Sequence, residues 1–223
     1  MSGLGFVVAM GAEVRALGVL HRDWMVELSG IGPEAAMVAT RKLAARGSEA
    51  IISWGTAGGL SSVLSIGDLV VPEQVRRDEH LYCVDARLRS ALAQSLGVPI
   101  HGGTLITTDE VIRTPETKAE LHRTHGAVAV DMESAAIAEA AADHGLPFAA
   151  IRAISDTACD ALPRGITLVV DSETGMIKPS GVARLLLTRP HLVPQLVRTG
   201  RQFGKALSML RAAAGAMRDN AQG

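Results

Sequence analysis

The stretch "VAVDMESAAIAEAA", Val128 to Ala141, joins an apolar run to a helix pattern and puts two acids at the joint. Val128 to Val130 read as the end of a buried strand. Ser134 to His144 read as an alanine-rich helix that stops at Gly145. Between them stand Asp131 and Glu133, with Met132 in the middle. In an extended chain alternate residues point the same way, so the two carboxylates share one side and Met132 takes the other. An apolar strand that ends in two acids needs a partner for them. In this reading one acid faces a ligand and the other caps the helix near Ser134.

The same strand-then-helix grammar extends both ways from this joint. Leu4 to Met10 is a short apolar run read as a buried strand, and Val14 to Leu20 has helical character. Trp24 to Leu28 reads as a second strand leading into "SGIGPEAA". Pro33 suits a first helical position and Glu34 the positive end of that helix, which runs to about Arg46 with Gly47 as its stop. "AIISW", Ala50 to Trp54, is a strand ended by "GTAGGL". "GDLVVPEQV" gives a strand broken at Pro72, followed by a polar helix around Asp85 to Leu96. "HGGTLITTDEVI" gives one more strand, and Phe148 to Ile154 another. Such alternation predicts an α/β fold: a single domain with a twisted, mostly parallel or mixed sheet flanked by helices. Residues 1–183 are expected to form the body that carries the chemistry. The last forty residues, 184–223, carry seven Lys/Arg (Arg184, Arg189, Arg198, Arg201, Lys205, Arg211, Arg218) against one acid, Asp219. Their interleaved apolar residues predict a basic amphipathic helical extension of the same domain. Pro190 and Pro194 favour a bent, hairpin-like form for it.

Composition excludes several classes. A net charge of -1 argues against general nucleic-acid binding, which needs a basic domain, and 3% aromatics leave no stacking platform for single strands. Two distant cysteines, Cys83 and Cys159, give neither a disulfide framework nor zinc spacing. No metal site is expected. "GFVVAM" is too short for a signal peptide core, and no run approaches a membrane span, so a cytoplasmic protein is expected.

Three acids share one placement. Glu13 follows the first strand, Glu133 follows the Val128 strand, and Asp156 ends "FAAIRAISD". In open α/β sheets ligands sit beyond the carboxyl ends of the strands, where a side chain reaches a pocket while its backbone is held by the sheet. Each acid also has a plainer reading. Glu13 suits a helix first turn, Asp156 with Ser155 suits a turn or cap, and Asp131 suits a structural role. Arg152 lies inside an apolar strand, where a cation calls for a carboxylate or an anionic ligand. "GTAGGL" is not GxGxxG and carries little on its own. His80, His101 and His125 read as loop residues.

Six segments together, "AMGAEVRAL", "SGIGPEAA", "WGTAGGL", "IGDLVVPE", "VAVDMESAAIA" and "RAISDTA", resemble in order and spacing the nucleoside phosphorylase superfamily. They are most similar to its 5'-methylthioadenosine/S-adenosylhomocysteine nucleosidase branch. "LITTDEVIRTPETK" and "TRPHLVPQL" are similar to the hopanoid-associated phosphorylase subgroup.

The resemblance implies cleavage of the N-glycosidic bond of a 5'-substituted adenosine with release of adenine; in the hopanoid subgroup that substrate is adenosylhopane. It implies that Asp156 donates a proton to purine N7, with Ser155 holding its geometry. Glu133 would bind the ribose 2'- and 3'-hydroxyls, Met132 would pack on the ribose face, and Asp131 would support them. Glu13 matches the acid that activates water. Thr56, with Ala57 and Gly58 on the same glycine loop, and Arg152 stand where the family holds the water or an anion. Val111 stands where the family places a phenylalanine against adenine. No cofactor is implied, and phosphate is a co-substrate only if the enzyme is a phosphorylase. The alternatives are that phosphate-dependent purine nucleoside phosphorylase and, in another class, a nucleoside-binding sensor without turnover. A homodimer or larger homo-oligomer is implied. A lipid-linked substrate would bring the basic tail into peripheral contact with the inner membrane surface.

Overall fold

The computed structural model describes residues 3–18, 24–163 and 192–221. Its elements run β1 (Leu4–Val8), α1 (Gly11–Leu17), β2 (Trp24–Leu28), α2 (Pro33–Ala45), β3 (Ala50–Gly59), β4 (Leu69–Val70), β5 (Gln74–Arg77), β6 (His80–Cys83), α3 (Ala86–Leu96), β7 (Ile100–His101), β8 (Thr104–Thr107), α4 (Pro115–His125), β9 (Ala127–Asp131), α5 (Ser134–Asp143), β10 (Phe148–Asp156) and α6 (Val193–Ala221). The sheet is mixed and follows the order β6-β5-β8-β9-β3-β10-β4-β7, with β1 paired to β3 and β2 to β1. The expected single α/β domain with flanking helices is what the chain forms.

β3 organises the site. Its first half, Ala50–Trp54, pairs in parallel with β1, and its far end, Gly58 and Gly59, pairs antiparallel with β9. β10 runs parallel beside nearly its whole length. The edge of β3 between β1 and β9 is thus left open at Gly55 to Ala57, and the carboxyl ends of β1 and β9 both point toward that gap. Such a parting of neighbouring strands is where α/β sheets place ligands.

The sheet is held by apolar side chains that the alternation of each strand aims inward. Phe6 packs against Trp24 with ring centroids 4.9 Å apart, and meets Trp54 edge-on at 6.0 Å. α2 and α5 pack on each other and on the neighbouring strands, while α6 packs on β10, α1 and α3. Ala206, Leu210, Ala213, Ala214 and Met217 form the buried stripe of α6 at helical spacing.

Several expectations need correction. β3 continues through the glycines that read as its end. The "GDLVVPEQV" strand is broken at Pro72, as the sequence predicts, into β4 and β5, but β5 then turns at Asp78, whose φ is 52°, into a hairpin with β6 that the sequence reading lacks. α4 was not anticipated, and the "HGGTLITTDEVI" strand is two short ones, β7 and β8. His80 lies in β6, His101 in β7 and His125 at the end of α4, so none of the three is a loop residue. From Val193 the tail is one continuous helix, not a bent hairpin. Pro194 sits in its first turn, where a missing N–H costs no intrahelical bond. The expected boundary at 183/184, with Arg184, Arg189 and Pro190, lies outside the described residues.

Candidate active site

Glu13 is the third residue of α1, just past the end of β1. Its Oε2 accepts the backbone N–H of Met10 at 3.2 Å, which is ordinary first-turn chemistry. Its Oε1, however, crosses the gap to β3 and accepts both the backbone N–H of Thr56, at 2.8 Å, and the Thr56 hydroxyl, at 2.9 Å. The residue is only 2% exposed. Burial pushes the carboxyl above its ordinary range, and Arg152 and the Thr56 and Met10 donors oppose that rise without cancelling it. One oxygen therefore ties down the helix, as the plainer reading has it, and the other bonds across the gap to Thr56.

Asp131 closes β9. Its Oδ2 meets Arg152 Nε at 2.9 Å, its Oδ1 accepts the Thr107 hydroxyl at 2.7 Å, and the Ser134 N–H reaches it at 3.3 Å. Asp131 thus supplies the helix cap expected of one of the two acids. Arg152 Nη2 also donates to Ser53 Oγ at 2.6 Å and Ser134 Oγ at 2.9 Å. This guanidinium is engaged inside the protein through Nε and Nη2, in a buried pair with Asp131.

Glu133 lies two residues on, after the strand has ended. Gly32 holds a φ of 113°, a conformation that side-chain-bearing residues avoid, and donates its N–H to Glu133 Oε1 at 3.1 Å. Burial and the neighbouring Asp131 push the Glu133 carboxyl up to about 7, despite Arg152 and the Gly32 donor. Met132, between the two acids, is half-buried.

Asp156 ends β10 opposite Gly58 of β3. A β-carbon at Gly58 would come within 3.1 Å of Asp156 Oδ2, so the glycine gives the carboxylate its room. Ser155 Oγ donates to Asp156 Oδ1 at 2.9 Å and also to the Ala57 carbonyl at 3.2 Å, which fixes the side chain's direction. The other oxygen, Oδ2, takes the ammonium of Lys118 from α4. Burial raises the Asp156 carboxyl, and Lys118 and Ser155 pull it back.

The structure brings Glu13, Thr56, Asp131, Glu133 and Arg152 into one connected cluster. Ala57, Gly58, Ser155 and Asp156 line the adjoining end of β3 and β10. Val111 lies half-buried in the connection between β8 and α4, next to Ile112, which packs on Leu60, Ile106 and Val130. The sequence reading missed Lys118, the Ser53–Ser134 pair that holds Arg152, and Gly55. At Gly55 a β-carbon would lie 2.7 Å from Arg152 Nη1 and 2.9 Å from Glu13 Oε1. Among the described residues no group of three or more His, Cys, Asp or Glu could hold a metal ion, and no helix is long and apolar enough to cross a membrane.

This arrangement of buried acids can bind a polyol and deliver or take up protons at two points. Comparisons with known proteins identify the family. The Phosphorylase superfamily model matches residues 16–175, well over half of the chain. A 5'-methylthioadenosine/S-adenosylhomocysteine nucleosidase of Shewanella sp. (strain MR-7) is 33% identical over 172 residues, covering 66% of this chain and 72% of that one. Among solved structures, the futalosine hydrolase of Helicobacter pylori superposes with a TM-score of 0.75 at 18% identity, over 98% of both chains. The 5'-methylthioadenosine/S-adenosylhomocysteine nucleosidase of Neisseria meningitidis, in complex with methylthio-immucillin-A, superposes with a TM-score of 0.69 at 20% identity, over 96% of this chain and 98% of its own. The chain belongs to the Phosphorylase superfamily, as an enzyme of its nucleosidase and nucleoside phosphorylase kind.

Proposed function

We propose that the protein hydrolyses the N-glycosidic bond of a 5'-substituted adenosine and releases adenine. The observation that carries this reading is Glu13: a buried carboxylate, held by Thr56 and Met10, beside Arg152, whose guanidinium is already paired with Asp131. A carboxylate raised by burial is a better base near neutral pH, suited to taking a proton from water. Phosphate would meet that carboxylate as a like charge. Glu133 would accept the 2'- and 3'-hydroxyls of ribose, Met132 would pack on the sugar, and Asp156, steadied by Ser155, would protonate N7 of the leaving base. Asp131 would act through Arg152. Thr56, Ala57 and Gly58 would line the sugar side and Val111 the base side. No cofactor enters this chemistry.

The finer reading is that the 5' substituent is a hopane, as the resemblance of the C-terminal half supports. The protein would then act in the cytoplasm as a homo-oligomer whose neighbouring copy closes the 5' end. Residues 1–183 would carry the reaction and 184–223 would complete the domain. The packing of α6 on β10 supports that view. Contact with the inner membrane surface would rest on exposed Arg201, Lys205 and Arg211, because the apolar stripe of α6 faces the protein interior. It would be peripheral and salt-sensitive, and anionic liposome co-sedimentation at low and high salt tests it.

Adenine release is measured on methylthioadenosine, adenosylhomocysteine and a lipid-linked adenosine, with and without phosphate. Free sugar and indifference to phosphate are expected. A sugar 1-phosphate, with a rate that rises with phosphate, would make the enzyme a phosphorylase with Thr56 and Arg152 as anion ligands. Tight binding without turnover would make it a sensor.

A further inference from the structure

α4 is a polar helix with a single buried residue, and that residue is Lys118, at 0% exposure. An ammonium has three donors. All three find acceptors here: Asp156 Oδ2, the Thr157 carbonyl at 2.7 Å and the Asp160 carbonyl at 3.2 Å. Lys118 therefore pins the proposed acid and also the turn that follows it. The turn is fixed from its other side as well. The Asp160 carboxylate accepts the Thr157 N–H at 2.9 Å and the Thr157 hydroxyl at 2.7 Å, together with Arg198 and Gln202 of α6.

We infer that Lys118 is a positioning residue that holds Asp156 in its donating geometry and sets the upper pH limit at which it stays protonated. The inference rests on the reading of Asp156 as the acid. The charged groups facing Asp156 are few. α4 contributes Lys118, the turn after β10 contributes Asp160, and α6 contributes Arg198, already bound to Asp160. β3 and β9 present Gly58 and Val130, which do not titrate. Lys118 is thus the one cation in direct contact with the acid among the described residues. A cation at this distance favours the carboxylate and counteracts the rise that burial imposes. The lysine makes the acid stronger and, in exchange, confines it to lower pH.

The test is the pH dependence of kcat/KM for adenine release by the wild type, Lys118→Met and Lys118→Arg, with carbon-13 NMR of labelled aspartate, the Asp156 signal being assigned by its loss in Asp156→Asn. In Lys118→Met both the alkaline limb and the Asp156 titration should move up by about 1–3 pH units. In Lys118→Arg, which keeps the charge, both should stay near the wild type. A lysine with a merely structural role would lower the plateau and leave the limb in place, and that result overturns the inference. Should Lys118→Met fail to fold, Lys118→Gln, which removes the charge but keeps a donor, takes its place, and a limb and an Asp156 titration that both stay at the wild-type position overturn the inference. An active Asp156→Asn would instead remove Asp156 from the acid role, a separate failure.

Discussion

Replacing Glu133 by Gln should stabilise the protein in a pH-dependent way while damaging its function. The Glu133 carboxyl is pushed from an ordinary 4.5 to about 7 by burial and by Asp131. A group with a raised folded pKa contributes stability that is fully present below its unfolded value and lost as pH rises through the folded one. For Glu133 that window runs from 4.5 to about 7. At ~1.4 kcal/mol per pH unit the full loss is on the order of 3 kcal/mol, most of which falls between pH 5 and pH 8. Gln cannot ionise, and its amide oxygen still accepts the Gly32 N–H. Thermal melts should therefore nearly coincide for wild type and Glu133→Gln at pH 5. At pH 8 the variant should melt higher by roughly 5–10 °C, at about 2–4 °C per kcal/mol for a chain of this size. The same variant should lose turnover of ribosides more than of 2'-deoxyribosides, because the carboxylate proposed to bind the 2'-hydroxyl is gone. A melting difference that is the same at both pH values, or a variant less stable at pH 8, would refute the reasoning.

Asp156→Asn should lower turnover by roughly 10²–10⁴-fold while nucleoside binding survives, since the amide keeps the shape but gives up no proton; single-turnover kinetics beside calorimetric binding separate the two. Gly55→Ala should cost about 1–3 kcal/mol in urea unfolding and most of the activity, because its new β-carbon collides with Arg152 and Glu13, both clamped by other bonds. Val111→Phe should lower KM for methylthioadenosine by roughly 2–10-fold, through about 0.5–1.5 kcal/mol of aromatic contact with the base; an unchanged KM would place Val111 away from adenine.

The acids were legible because each sits where an apolar run stops, a position set by strand pairing and visible in one dimension. Arg152 was legible for the same reason, as a charge within an apolar run. The glycines misled. "GTAGGL" read as the end of a strand, yet Gly55 and Gly58 lie inside β3, where the missing side chains admit Arg152, Glu13 and Asp156. In a strand the composition of a loop can signal close approach, and only the neighbours decide which it is. Lys118 left no trace at all. A lysine in "TPETKAELHRTH" has the pattern of a solvated helix face, and its burial depends on Asp156 and the turn from Thr157 to Asp160, nearly forty residues away. α4 went unread with it, since a helix that buries only Lys118 and half-buries Leu121 has almost no apolar stripe to show.

The ion pairs divide the four acids of the candidate site into two kinds. Asp131 is neutralised by Arg152 and Asp156 by Lys118. Glu13 and Glu133 lie within ion-pair distance of no cation among the described residues, and rely on backbone N–H groups and the Thr56 hydroxyl. An anionic co-substrate entering between them would meet two carboxylates whose neighbouring cation, Arg152, is already paired with Asp131. Breaking an N-glycosidic bond asks for the opposite field, because positive charge develops on the sugar as the base departs. Two carboxylates kept costly in the resting state become favourable neighbours once that charge appears, which is the differential stabilisation that accelerates a reaction. In the proposed reaction Asp131 holds the frame, Asp156 serves the leaving base, and the two unpaired acids are left for the sugar and the water.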